Sequence, residues 1–183
     1  MANKPDKFGI KFWIAADVDS KYLFSGFRYH RKENDQPSDQ ILGLLEPYLQ
    51  CGRNVTMDNF FTFLKLSRLL NDKKTSLLGT VNGTRSEVPP TAKNFKQQLY
   101  ATYVYKHKDT TLTVYQGKVN KNVILLSLLH PSVNIAENEK KTPDTIQYYN
   151  TTKFIVYIID QVPRKYSIKN RQSSGLFMFS SMC

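Results

Sequence analysis

RNVTMDNFFTFLKLSRLLND, residues 53–72, changes its hydrophobic period halfway along. Arg53 to Met57 is short and β-branched, as a strand requires, and it runs straight into Asp58. From Asn59 to Asp72, Phe60, Phe63, Leu64 and Leu70 recur at helical spacing. The spacing predicts a helix over 59–72, with Asp58 at the junction. In open α/β folds ligands bind at the carboxyl ends of strands, so a carboxylate here is a candidate for chemistry. An Asp ahead of a helix is equally an N-cap, and position alone favours that role.

Working outward, Ser76 to Val81 reads as a second strand. Upstream, Ser38 is placed to cap a helix whose Ile41, Leu44, Leu45, Tyr48 and Leu49 form one apolar stripe. Pro47 should kink that helix and Gly52 should end it. Earlier still, FGIKFWIAAD (8–17) and KYLFSGFRYH (21–30) pair as a hairpin, and the first has the pattern of an interior strand. Hairpin, helix, strand, helix, strand is an α/β order.

Downstream, residues 82–94 turn to Gly, Ser and the pair Pro89 and Pro90, and read as a linker. LYATYVYKH, TLTVYQGK and NVILLSLLH follow as a β-rich meander, and 131–147 as a polar loop. The expected division is a core over 1–94, a β-rich insertion over 95–147, and a final segment with a divergent tail over 148–183.

One Trp, 11 Tyr and 11 Phe among 183 residues exclude a disordered polar tail. A net charge of +11 favours a polyanionic partner, nucleic acid first. Cys51 and Cys183 alone build neither a disulfide framework nor a four-ligand zinc site. No signal-peptide pattern and no membrane-length apolar run is visible, so the expected location is nuclear or cytoplasmic, not secreted, with no membrane partner. The Asn-x-Thr sequons at Asn54, Asn82 and Asn150 then carry no weight.

Three blocks resemble the piggyBac transposase family. VTMDNFFT (55–62) is similar to the stretch around that family's second catalytic aspartate, and NKPDKFGIKFW (3–13) to the segment upstream of it. YYNTTKFIVYIIDQV (148–162) is similar to the family's Tyr-Tyr-Asn-x-Thr-Lys-Gly-Gly-Val-Asp-x-x-Asp-Gln-Met. The resemblance runs from Asn3 to about Ser167 and accounts for the β-rich insertion. It implies a ribonuclease H-like mixed sheet with flanking helices, truncated at the N-terminus, in which three aspartates of an intact enzyme hold two Mg²⁺ ions. Such an ion pair activates the attacking oxygen and stabilises the leaving one. Hard oxygen ligands are what Mg²⁺ requires.

Carried over residue by residue, Asp58 matches the second aspartate, the ancestral metal ligand, and Asp160 matches the acid three positions after the third. The third aspartate falls on Tyr157, and the family's Gly-Gly on Phe154 and Ile155. The first would lie before Met1, and the family's cysteine-rich zinc module is not recognisable here. A phenol is neutral at pH 7 and does not replace a carboxylate. The expectation is therefore a domain that has lost metal-dependent DNA cleavage and strand transfer, with no cofactor and no small-molecule substrate.

Two basic groups are candidates for non-specific phosphate contacts: Arg28, Arg31 and Lys32 beside His30, and Arg164, Lys165, Lys169 and Arg171. Ordinary solubilising charge explains them equally well. His30, His107 and His130 stand apart in sequence and point to no site. Two other expectations compete with an inactive DNA-binding remnant: a protein-interaction scaffold, and an active transposase whose first aspartate is encoded upstream. Loss of the first strand would leave a sheet edge open to self-association.

Overall fold

The computed structural model describes residues 12–28, 37–93, 98–154 and 175–180. Alternation in β1 (Phe12–Asp17) buries Trp13 and Ala15 on one face. β1 pairs antiparallel with β2 (Leu23–Arg28), Trp13 opposite Phe27, with an irregularity between Ala15 and Ala16. The hairpin closes on Asp17, whose Oδ2 accepts from Ser20 N at 2.8 Å and Ser20 Oγ at 2.6 Å. Such side-chain-to-backbone bonds are why Asp favours turns.

α1 (Pro37–Leu45) buries the expected Ile41, Leu44 and Leu45. Ser38 is not its cap. Ser38 lies inside the first turn, 2% exposed, and its hydroxyl donates to Asp39 Oδ1 at 3.4 Å. Pro37 takes the first helical position, where a missing N–H costs nothing. At the other end Pro47 limits the chain to one 3₁₀ turn, Glu46–Tyr48. Gln50 and Gly52, with φ of 64° and 68°, then redirect it into β3 (Asn54–Met57).

β3 runs parallel to β4 (Ser76–Thr80), Met57 opposite Gly79, and α2 (Leu64–Asp72) connects them. Val55, Met57 and Leu77 point to the α1 and α2 side, where they meet Ile41, Leu45, Leu66 and Leu70 in the main core. After the short turn α3 (Pro90–Lys93), β5 (Thr102–His107), β6 (Thr110–Lys118) and β7 (Lys121–Ser127) form an antiparallel meander. β7 also pairs antiparallel with β4, Leu78 opposite Ser127, so the meander extends the main sheet.

α4 (Asp144–Thr152) covers the opposite face, with Ile146 packed among Leu78, Tyr115 and Leu125. The polar loop expected over 131–147 therefore ends earlier. Its composition hid the helix because the contact face is small: buried Thr145 sits 3.4 Å from Thr113 through their hydroxyls. Asp144 secures the start, its Oδ1 accepting from Thr145 N and its Oδ2 from Asn134 N and Nδ2.

β8 (Gly175–Ser180) lies inside the sheet, parallel to β1 and antiparallel to β3. The strand order is β2-β1-β8-β3-β4-β7-β6-β5, a mixed sheet with helices on both faces. The α/β class read from the sequence is the one observed. The sequence predicts no strand in the divergent tail, yet its apolar GLFMFS run forms one, third in the order of eight.

Candidate functional site

Asp58 stands at the carboxyl end of β3, exposed, in the row next to the end of β4. It does not cap α2, which starts six residues later. The carbonyl of Asp58 accepts from Phe61 N (3.0 Å), Thr62 N (3.1 Å) and Thr62 Oγ1 (2.9 Å), closing one turn that goes no further. The carboxylate accepts from Asn59 N. Phe63 is then extended, φ −153°, and serves as the α2 N-cap residue without a side-chain bond. So Phe60, expected on the buried stripe, is 61% exposed, while Phe61 and Leu66 are buried.

Why the helix is delayed is visible at Gly79. A Cβ there would collide with the Thr62 hydroxyl and lie 2.8 Å from the Met57 carbonyl. Only glycine in β4 lets Thr62 fold down onto the sheet, which fixes the turn and with it Asp58.

Residues 82–94, expected to be a linker, instead brace this turn. Arg85 Nη2 donates to the carbonyls of Asn59 (3.3 Å) and Phe60 (3.0 Å), and its guanidinium lies 5.6 Å from the Phe63 ring centre. Glu87 Oε2 accepts from Leu64 N at 3.2 Å, satisfying one of the free amides at the start of α2. Val88 and Ala92 are buried in the main core. Polar composition concealed a strap anchored by two small apolar residues. On the other side of the edge the Thr80 and Tyr149 hydroxyls meet at 3.3 Å, tying α4 to the last residue of β4.

A second carboxylate near Asp58 is not found on the hairpin. β8 runs with β1 and against β3, so β1 and β3 point in opposite directions. Asp17 and Val55 share the partner Phe179, which places Asp17 three rows back from Asp58 and two strands across. Those steps are on the order of 10 Å each. Asp17 is committed locally: burial would raise its pKa, but the Ser20 bonds and the charge of Arg53 outweigh this and hold it below the ordinary value. Among the described residues no group of three or more His, Cys, Asp or Glu could hold a metal ion. They therefore do not fit a pair of Mg²⁺ ions, which need several carboxylate oxygens a few ångströms apart.

Asp160 and Tyr157 lie outside the described residues, as do His30, Arg31, Lys32, Arg164, Lys165, Lys169 and Arg171. Arg28 is described, exposed at the end of the outer strand β2 opposite Phe12. His130 is half-buried: its Nδ1 is 2.9 Å from Ser127 Oγ, and that oxygen accepts from the His130 and Leu129 amides. With Ser127 fully buried, this is a turn lock at the end of β7 rather than a nucleophile and base.

Residues 1–181 match a family profile described as Transposase IS4. No curated protein matches the chain. Among solved structures, a cryo-EM structure of a piggyBac transposase synaptic complex with hairpin DNA is similar, with a TM-score of 0.80 and 28% identity over 95% of this chain. The chain spans 37% of that protein's length.

Proposed function

Because the chain belongs to the Transposase IS4 family and shares the piggyBac transposase fold, we propose that it is a transposase-derived domain that no longer cuts or joins DNA but still binds it. The observation that carries this reading is that, among the described residues, Asp58 at the sheet edge belongs to no group of carboxylates able to hold a metal ion, with Tyr157 where the resemblance expects an aspartate. Asp17 at the far end of the sheet supports it, because the hairpin offers no replacement ligand. Losing a metal site worth about 4 kcal/mol in the transition state lowers the rate roughly a thousandfold.

A DNA partner is supported by the +11 charge and by the hairpin DNA in the similar complex. Arg28, Arg31, Lys32, Arg164, Lys165, Lys169 and Arg171 are the residues we assign to phosphate contact, without sequence readout. We keep the division into a core, an insertion over 95–147 and a final segment, and a nuclear or cytoplasmic location. Among the described residues no helix is long and apolar enough to cross a membrane.

The direct assay is incubation of the purified chain with supercoiled and hairpin DNA in Mg²⁺ or Mn²⁺. No cleavage above the Asp58→Ala background is expected. Cleavage that disappears in Asp58→Ala would overturn the inactive assignment.

A protein-interaction scaffold is the second reading. It is favoured by β5, an outer strand of the sheet on which Val104 is 46% exposed. Absence of any duplex DNA binding at low salt would select it.

A further inference from the structure

The sheet is two blocks joined by one strand. β2 and β1 form the first, β3, β4, β7, β6 and β5 the second, and β8 stands between them. Five residue pairs link β8 to β1 and three link it to β3. The strand that joins the two blocks is the last of the described strands, and twenty residues, 155–174, lie between it and the preceding described residue, Phe154.

The place it fills has an unusual tolerance. β1 and β3 run in opposite directions, so any inserted strand makes one parallel and one antiparallel ladder whichever way it points. The backbone of the slot therefore selects an extended segment of about six residues, not a direction. GLFMFS carries no charge and no proline, which suits an interior strand.

We propose that the gap between β1 and β3 is a strand-acceptor slot, and that the Gly175–Ser180 segment of a second copy of this chain can occupy it, giving a strand-exchanged dimer. The pairs made in the dimer are the pairs made in the monomer, so no new contact is required. Twenty residues of any chain reach at most about 66 Å, against a radius of gyration of about 16 Å for a compact chain of this length. Reach does not confine β8 to its own sheet. Tethering favours the monomer by an effective concentration on the order of 1 mM, so exchange should emerge when the chain refolds near that concentration.

Asn54 and Ser180 are opposite each other in the antiparallel β3 and β8 ladder, a pairing a disulfide can bridge. The experiment uses the full chain carrying Asn54→Cys and Ser180→Cys, with Cys51→Ser and Cys183→Ser. The chain is refolded at about 5 μM and at about 1 mM, bracketing the tether's effective concentration, then oxidised and run on a non-reducing gel. Intramolecular bridging is expected at the low concentration and covalent dimer at the high one, with the dimer fraction rising at least several-fold. No bridging at either concentration means β8 is not in the slot. Bridging that stays intramolecular throughout means it does not exchange, whether or not dimers form by another surface. Either result overturns the proposal. If the variant does not fold, the unmodified chain is refolded at both concentrations and sized by light scattering; a monomer throughout overturns it too.

Discussion

Thr62 and Gly79 together decide where Asp58 stands. Gly79→Ala forces Thr62 off the sheet and presses on the Met57 carbonyl. A loss of about 1–3 kcal/mol is expected from such overpacking, read as a lower urea midpoint with an unchanged slope. His130 makes a second test at this scale. Burial lowers its pKa, and the charge of Asp144 only partly restores it. The unfolded chain therefore takes up a proton first as pH falls. The His130 contribution to stability is complete above about pH 6.5 and is lost as pH drops from there through the folded-state pKa. Stability should fall between neutral and mildly acidic pH, and His130→Asn should flatten that part of the profile. The junction at Asp58 was legible because a period change and a carboxylate coincide in 53–72. The partners of Asp58 were not, since Thr62 to Gly79 is a contact between residues whose types advertise nothing.

At the scale of elements, the strap over 82–94 has the largest consequence. Arg85 holds two carbonyls of the Asp58 turn and Glu87 receives the first α2 amide. Arg85→Met should cost about 1 kcal/mol, the net value of a few hydrogen bonds at a partly exposed site. Its signature is local: amide exchange at Phe61 and Thr62 should quicken while β6 and β7 keep their protection. The α1 stripe and the strands from β1 to β7 could be read from hydrophobic pattern and turn residues, whereas β8 could not. The start of α2 could not, because the Asp58 turn satisfies the same carbonyl that a continuous helix would use. Nor could α4, whose buried face begins with Thr145 and not with a large apolar side chain.

For the whole molecule, the α/β order along the chain was enough to place the fold class, and the meander followed from turns between β-rich runs. The position of β8 is a long-range pairing that no local pattern encodes, and it settles which way Asp17 lies from Asp58. Charge acts at this scale as well. If the domain neutralises about four phosphates, its duplex DNA affinity should fall roughly 150-fold between 50 and 200 mM salt, independent of sequence. A gel shift across that range checks it. A salt-insensitive affinity would point away from a phosphate surface.

Among the described residues, Asp58 belongs to no group of carboxylates with which to hold a pair of divalent ions. Calorimetric titration of the chain with Mn²⁺, alongside Asp58→Ala, measures this directly. The two proteins should give the same heats, with no site tighter than about millimolar for an isolated carboxylate. Two tight Mn²⁺ sites in the unmodified chain that vanish in Asp58→Ala would contradict it.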